Sequence, residues 1–162
     1  MGSTFDKEIT LVCLQKIKAI LDLITERSSV VETPNDFLCS PGGMLRLDAI
    51  CMNLIALGET VKGLDKVTGG QLLKNYPEVY WKGVMGMRDK ISHHYFEIDT
   101  DVVFRTLEED IPAMIPVVKK IISDLGHRSA CPPFAPKTKQ HHNNEESRTI
   151  HRDLSHIKDF AL

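Results

Sequence analysis

The chain has 162 residues, 42% of them hydrophobic and 26% charged, with a formal net charge of -2. That length holds one hydrophobic core and some surplus, and no apolar run is long enough to span a bilayer. Residues 1–126 hold 14 Lys and Arg against 18 Asp and Glu; a mildly acidic body argues against a general nucleic-acid coating protein, which needs a broad basic face to displace counterions from phosphates. A locally basic cleft stays open to it. Met1 to Lys7 lacks the basic start, apolar stretch and cleavage site of a secretory signal, so the expected location is cytoplasmic. Cys13, Cys39, Cys51 and Cys131 show no CxxC spacing, which suggests neither a disulfide framework nor a zinc knuckle.

In chain order, Ile9, Cys13, Ile17, Ile20 and Ile24 recur at steps of four and three, which predicts an amphipathic helix over 5–27. Residues 28–37 carry Pro34, Asn35 and Asp36 and read as a connection that returns Phe37 to the core. Ser40-Pro41 is a strong helix start. The second helix places Leu47, Ile50, Leu54, Gly58, Val61 and Asp65 on one line, with Gly58 permitting close approach of a neighbour, and Gly69-Gly70 ends it. A third helix is expected from Pro77 to about Ser92 with Trp81, Val84, Arg88 and Ile91 on its seam. An arginine there needs a partner, a cleft or a subunit interface, because burying it unpaired is costly.

After a turn at 97–100, Phe104, Leu107, Ile111, Met114, Val118, Ile122 and Leu125 mark a fourth helix. Pro112 and Pro116 interrupt it, so a kink is expected near Asp110. The fold class is all-α, an antiparallel up-down four-helix bundle over 1–126. Residues 127–162 are expected to be a polar C-terminal tail, with Ile150, Leu154, Ile157 and Ala161 spaced for a short helix over 148–161.

The informative stretch is Met87-Arg88-Asp89-Lys90-Ile91-Ser92-His93-His94-Tyr95-Phe96. Arginine, four residues, histidine, one residue and tyrosine resembles the RX4HXY signature of HEPN proteins, specifically the HepT-like family. Leu57-Gly58-Glu59-Thr60-Val61-Lys62 is similar to a second segment of that family, and Phe104 to Ile122 to its proline-containing last helix. The resemblance covers roughly 5–125, and the ordered combination is more specific than an isolated Arg-x4-His.

The resemblance implies a metal-independent RNA endonuclease with no cofactor, the toxin of a toxin–antitoxin pair. Cleaving RNA without metal needs a base for the 2′-hydroxyl, an acid for the leaving 5′-oxygen and positive charge on the phosphate. His93 and Arg88 are the catalytic candidates for these roles. Five residues at 100° each put them about 140° apart on an ideal helix. Either the helix loosens after Ile91, or two subunits share the site. The resemblance implies the second: a homodimer whose cleft gathers both Arg88 and His93 pairs around the RNA. Asp89 and Glu59 are supporting candidates that would orient them. Tyr95 is implied as the residue to which a minimal nucleotidyltransferase antitoxin transfers AMP, a bulky anion that would repel RNA phosphates beside His93.

Each residue also has a plainer role. Arg88 could form a structural ion pair with Glu59 or Asp89, and His93 sits where a helix macrodipole favours a cation. On that reading the bundle is a non-catalytic module that docks a nucleotidyltransferase or binds nucleotide, or one that only dimerises a larger assembly. His141, His142, His151 and His156 crowd the tail, but no supporting carboxylate or cysteine spacing argues for a metal site.

Overall fold

The computed structural model describes residues 5–94 and 97–127. Among these the chain is helical and without strands, a bundle of four helical rods in up-down order. The tail, with its histidines and the expected short helix over 148–161, lies outside the described residues, as does Tyr95.

Helix α1 (Lys7–Ser28) starts where the Asp6 carboxylate accepts from the amides of Glu8 and Ile9. These amides have no partner within the helix, so the cap replaces water that folding would otherwise strip away. Its buried line is Thr10, Leu14, Ile17, Leu21 and Ile24. The expected line held Ile9 and Cys13 instead, yet Ile9 is half exposed. Two overlapping apolar lines run along α1, and the one through Leu14 and Leu21 takes the core.

The connection is shaped by Asp36, whose carboxylate accepts from the Glu32 and Thr33 amides at 2.8 Å each. Those bonds favour the ionised form and hold Asp36 below its ordinary pKa. Phe37, next in sequence, is fully buried.

Helix α2 (Pro41–Val67) is capped by Ser40, whose Oγ accepts from Gly43 N at 3.0 Å. It stops at Gly69 and Gly70, both at positive φ, where Gly70 N donates to Asp65 O and Gly69 N to Lys66 O. This double closure needs the left-handed conformation that glycine adopts without steric cost.

Helix α3 (Trp81–His93) begins four residues later than the expected Pro77. Val79 and Trp81 are both buried, although residues two apart on a helix point about 200° apart. The chain therefore stays irregular until the Trp81 indole, donating to Tyr76 O at 2.7 Å, is in place. The Tyr76 hydroxyl in turn donates to Asp124 at 2.7 Å, fastening this connection to the last rod.

That rod comprises α4 (Thr100–Arg105), a π turn over Thr106–Asp110 and α5 (Ile111–His127). The kink expected near Asp110 takes the form of this turn, in which Ile111 N donates to Thr106 O, five residues back. Pro112 follows at once; it has no amide to donate and its ring would crowd a regular preceding turn. Val103 and Ile121 fill the core where Phe104 and Ile122 were expected; the latter two pack partly buried against it.

Helix α1 packs on α2 and α5, and α2 packs on α1 and α3. Gly58 sits at the α2–α3 crossing: a Cβ there would lie 2.8 Å from Val84 O and 3.2 Å from Arg88 N. Both are backbone atoms, so no rotamer change could relieve the clash. Gly58→Ala should therefore destabilise by about 1–3 kcal/mol through overpacking. Gly63→Ala, with open space around its Cβ, should stabilise by about 0.5–1 kcal/mol through helix propensity. Urea unfolding of the two variants checks the contrast, and equal effects would contradict the crossing geometry.

Candidate functional site

The exposed surface over the α2–α3 crossing gathers three of the sequence candidates, Arg88, Asp89 and Glu59. Arg88 leaves α3 beside Gly58, and its side chain is 48% exposed. The expected seam through Arg88 is thus corrected: Met87 is fully buried in line with Trp81, Val84 and Ile91. Steps of three, three and four serve the helix as well as three, four and three, and burying a thioether avoids stripping water from a guanidinium.

Two carboxylates hold the guanidinium. Its Nη1 lies 2.8 Å from Asp89 Oδ1, and its Nε lies 3.6 Å from Glu59 Oε2. Glu59 faces α3 because it follows Gly58, where the two backbones meet. The bond and charge of Asp89, then the charge of Glu59, push the Arg88 pKa above its ordinary value. Asp89 is held below its own, chiefly by the hydrogen bond and charge of Arg88, with Lys62 and His93 adding to the effect. Both supporting candidates are therefore gathered onto Arg88, and the plainer ion-pair role occurs as well.

His93 ends α3 and is exposed. Helix α3 continues through it, so the first of the two expected geometries, a helix loosened after Ile91, is not adopted. Among the described residues no hydrogen bond or ion pair joins His93 to Arg88. Asp89 links them indirectly: it lies four residues before His93, which puts both on one face, and it draws the long arginine stem towards that face. His94 Nδ1 lies 3.6 Å from Glu97 Oε2, a pairing that needs protonated imidazole. Lys62 was missed as a neighbour of Asp89; its place one turn beyond Glu59 on α2 was the available signal.

Among the described residues no group of three potential ligands could hold a metal ion, and no helix is long and apolar enough to cross a membrane. Burial pushes the Cys51 thiol up to about 12, which keeps it protonated and unreactive.

The Arg88–Asp89 pair has a definite pH signature. A carboxylate depressed in the folded state contributes stability above its unfolded pKa, and the contribution is lost as pH falls through the folded value. Carboxyl carbon NMR should find Asp89 titrating below the ordinary 3.8, with the midpoint rising in Arg88→Ala. An unmoved midpoint would contradict the assigned cause.

Known proteins resemble the chain in sequence. "Putative RNase MJ0127" of Methanocaldococcus jannaschii is 34% identical over 77 residues, 48% of this chain and 60% of that protein. "Probable ribonuclease HepT" of Thermococcus cleftensis is 31% identical over 101 residues, 62% of this chain and 84% of that protein. "Putative RNase TTE0752" of Caldanaerobacter subterraneus subsp. tengcongensis is 34% identical over 74 residues, 46% of this chain and 62% of that protein. The match thus spans less than two thirds of the first of these relatives. No solved structure matches the chain. The profile described as "Ribonuclease HepT-like" matches residues 14–121, which contain the α2–α3 crossing and the whole Arg88–His93 stretch, and the chain belongs to the HepT-like ribonuclease family.

Proposed function

We propose that the chain is a metal-independent RNA endonuclease in which Arg88 and His93 carry the reaction. The observation that supports it most directly is the Arg88 guanidinium held exposed at the α2–α3 crossing by Asp89 and Glu59, within the stretch that the family match covers. One imidazole takes the proton of a 2′-hydroxyl as that oxygen attacks phosphorus. The 5′-oxygen leaves with a proton from a second imidazole, giving a 2′,3′-cyclic phosphate and a 5′-hydroxyl. Arg88 stabilises the charge that builds on the phosphate oxygens. Asp89 and Glu59 are positioning residues that aim the guanidinium.

A base and an acid of the same residue type call for two copies of His93, and α3 carries one. A homodimer with paired third helices lining one cleft meets that need. In this reading the protein is the toxin of a type VII-like pair, working in the cytoplasm. A minimal nucleotidyltransferase antitoxin silences it by transferring AMP to Tyr95, which adds negative charge two residues from His93.

A second reading has one observation in its favour: the guanidinium is already engaged by two carboxylates in an acidic body, as a non-catalytic module docking a nucleotidyltransferase would allow. Cleavage of RNA in EDTA separates the two. The enzyme reading expects cyclic phosphate ends, a fall of about 10²–10³-fold in Arg88→Ala and about 10²–10⁴-fold in His93→Ala. Full activity in His93→Ala refutes it. Tyr95→Phe should still cut RNA but resist inactivation by the nucleotidyltransferase and ATP; mass spectrometry would follow the added AMP, and modification at another residue would contradict the switch.

A further inference from the structure

The body is acidic, but its charge is unevenly distributed. Residues 62–94, which run from the C-terminal part of α2 to the end of α3, hold six Lys and Arg against three Asp and Glu. Within this basic stretch Lys62 lies one turn beyond Glu59, the residue that touches Arg88 across the crossing. Its charge reaches Asp89, the other partner of Arg88. Lys66 stands one turn further along the same edge of α2, and both lysines are exposed. Among the described residues no ion pair takes up either ammonium. Glu59, Arg88, Asp89 and Lys62 thus alternate in sign over the crossing, and the exposed Lys66 follows on α2 beside the half-buried Asp65.

We propose that Lys62 and Lys66 form a second phosphate-holding subsite, which grips the strand next to the phosphodiester that Arg88 engages. At 1.5 Å per residue the two lysines stand about 6 Å apart along α2, and each long stem lets its ammonium follow a flexible backbone. An ammonium suits this position because it acts as a mobile point charge that holds phosphate without dictating base or plane, whereas the forked guanidinium fixes the reacting group. The ligand is single-stranded RNA, whose unpaired backbone can turn from the Arg88 surface onto the edge of a helix. The subsite rests on the ribonuclease reading and adds to it a direction of approach, along α2 towards its C-terminal end.

The test uses the full-length chain carrying His93→Ala to prevent cleavage, a fluorescein-labelled single-stranded RNA of mixed sequence and EDTA throughout. Anisotropy titrations across a range of KCl give the slope of log affinity against log salt. For a single strand, each phosphate that is no longer neutralised should reduce that slope by about 0.7. Lys62→Ala/Lys66→Ala should therefore flatten it by about 1.4 and weaken binding on the order of tenfold at low salt. Lys119→Ala, which removes a like charge from α5, should leave the slope in place. Binding by the double variant with an unchanged slope overturns the subsite while sparing the nuclease reading. An equal loss in Lys119→Ala also overturns it, since the effect would then be one of overall charge. If the chain with both lysines intact binds no RNA, the nuclease reading and the subsite fall together.

Discussion

The close approach of α3 to α2 at Gly58 is the constraint on which the rest of the site depends. With only hydrogen at that position, Val84 O and the Arg88 amide sit within the space a side chain would need. Two consequences follow from one missing carbon. Glu59, the next residue, is carried to the guanidinium, and Arg88 leaves its helix at the edge of the crossing, neither buried in the core nor projecting away from the molecule. Residues distant in sequence become neighbours because backbone meets backbone, a contact far less adaptable than one between two long side chains.

The electrostatics over this crossing are suited to exchange. Exposed ion pairs contribute little to stability, because water screens them and ordering long side chains costs entropy. Carboxylates that hold Arg88 can therefore release it without endangering the fold. Asp89 is central to this arrangement. It shares a helix face with His93 and holds the guanidinium of its own neighbour. On the proposed ribonuclease reading, such a pre-aimed but releasable cation meets the charge that develops on the phosphate.

Much of this was legible in the sequence, for reasons specific to each element. Ser40-Pro41 and Gly69-Gly70 state the ends of α2 because capping and left-handed closure have sharp residue preferences. The Gly58 contact was legible because a glycine on a buried helical line has few other uses. The faces of α1 and α3 were harder to read. Leu14 and Leu21 compete with Ile9 and Cys13, and Met87 competes with Arg88, at spacings that a helix of 3.6 residues per turn satisfies equally; packing against α2 decides between them. The start of α3 was misplaced because Pro77 resembles a first helical residue, while the anchoring of Trp81 and Val79 depends on three-dimensional contacts. The pairing of Asp89 and Glu59 on one guanidinium required the crossing itself.

The π turn at Thr106–Asp110 also bears on how the last rod tolerates change in length. Such a turn contains one residue more than a regular one, and here it keeps Val103, Leu107 and Ile111 on the core side through two successive steps of four. The Thr106 hydroxyl is buried there without a hydrogen-bond partner among the described residues, a local cost. The surplus residue acts as an expansion joint tied to Pro112: a chain that sheds it keeps the faces of both halves but restores the regular turn that the proline ring would crowd, so loss of the residue and loss of the proline go together.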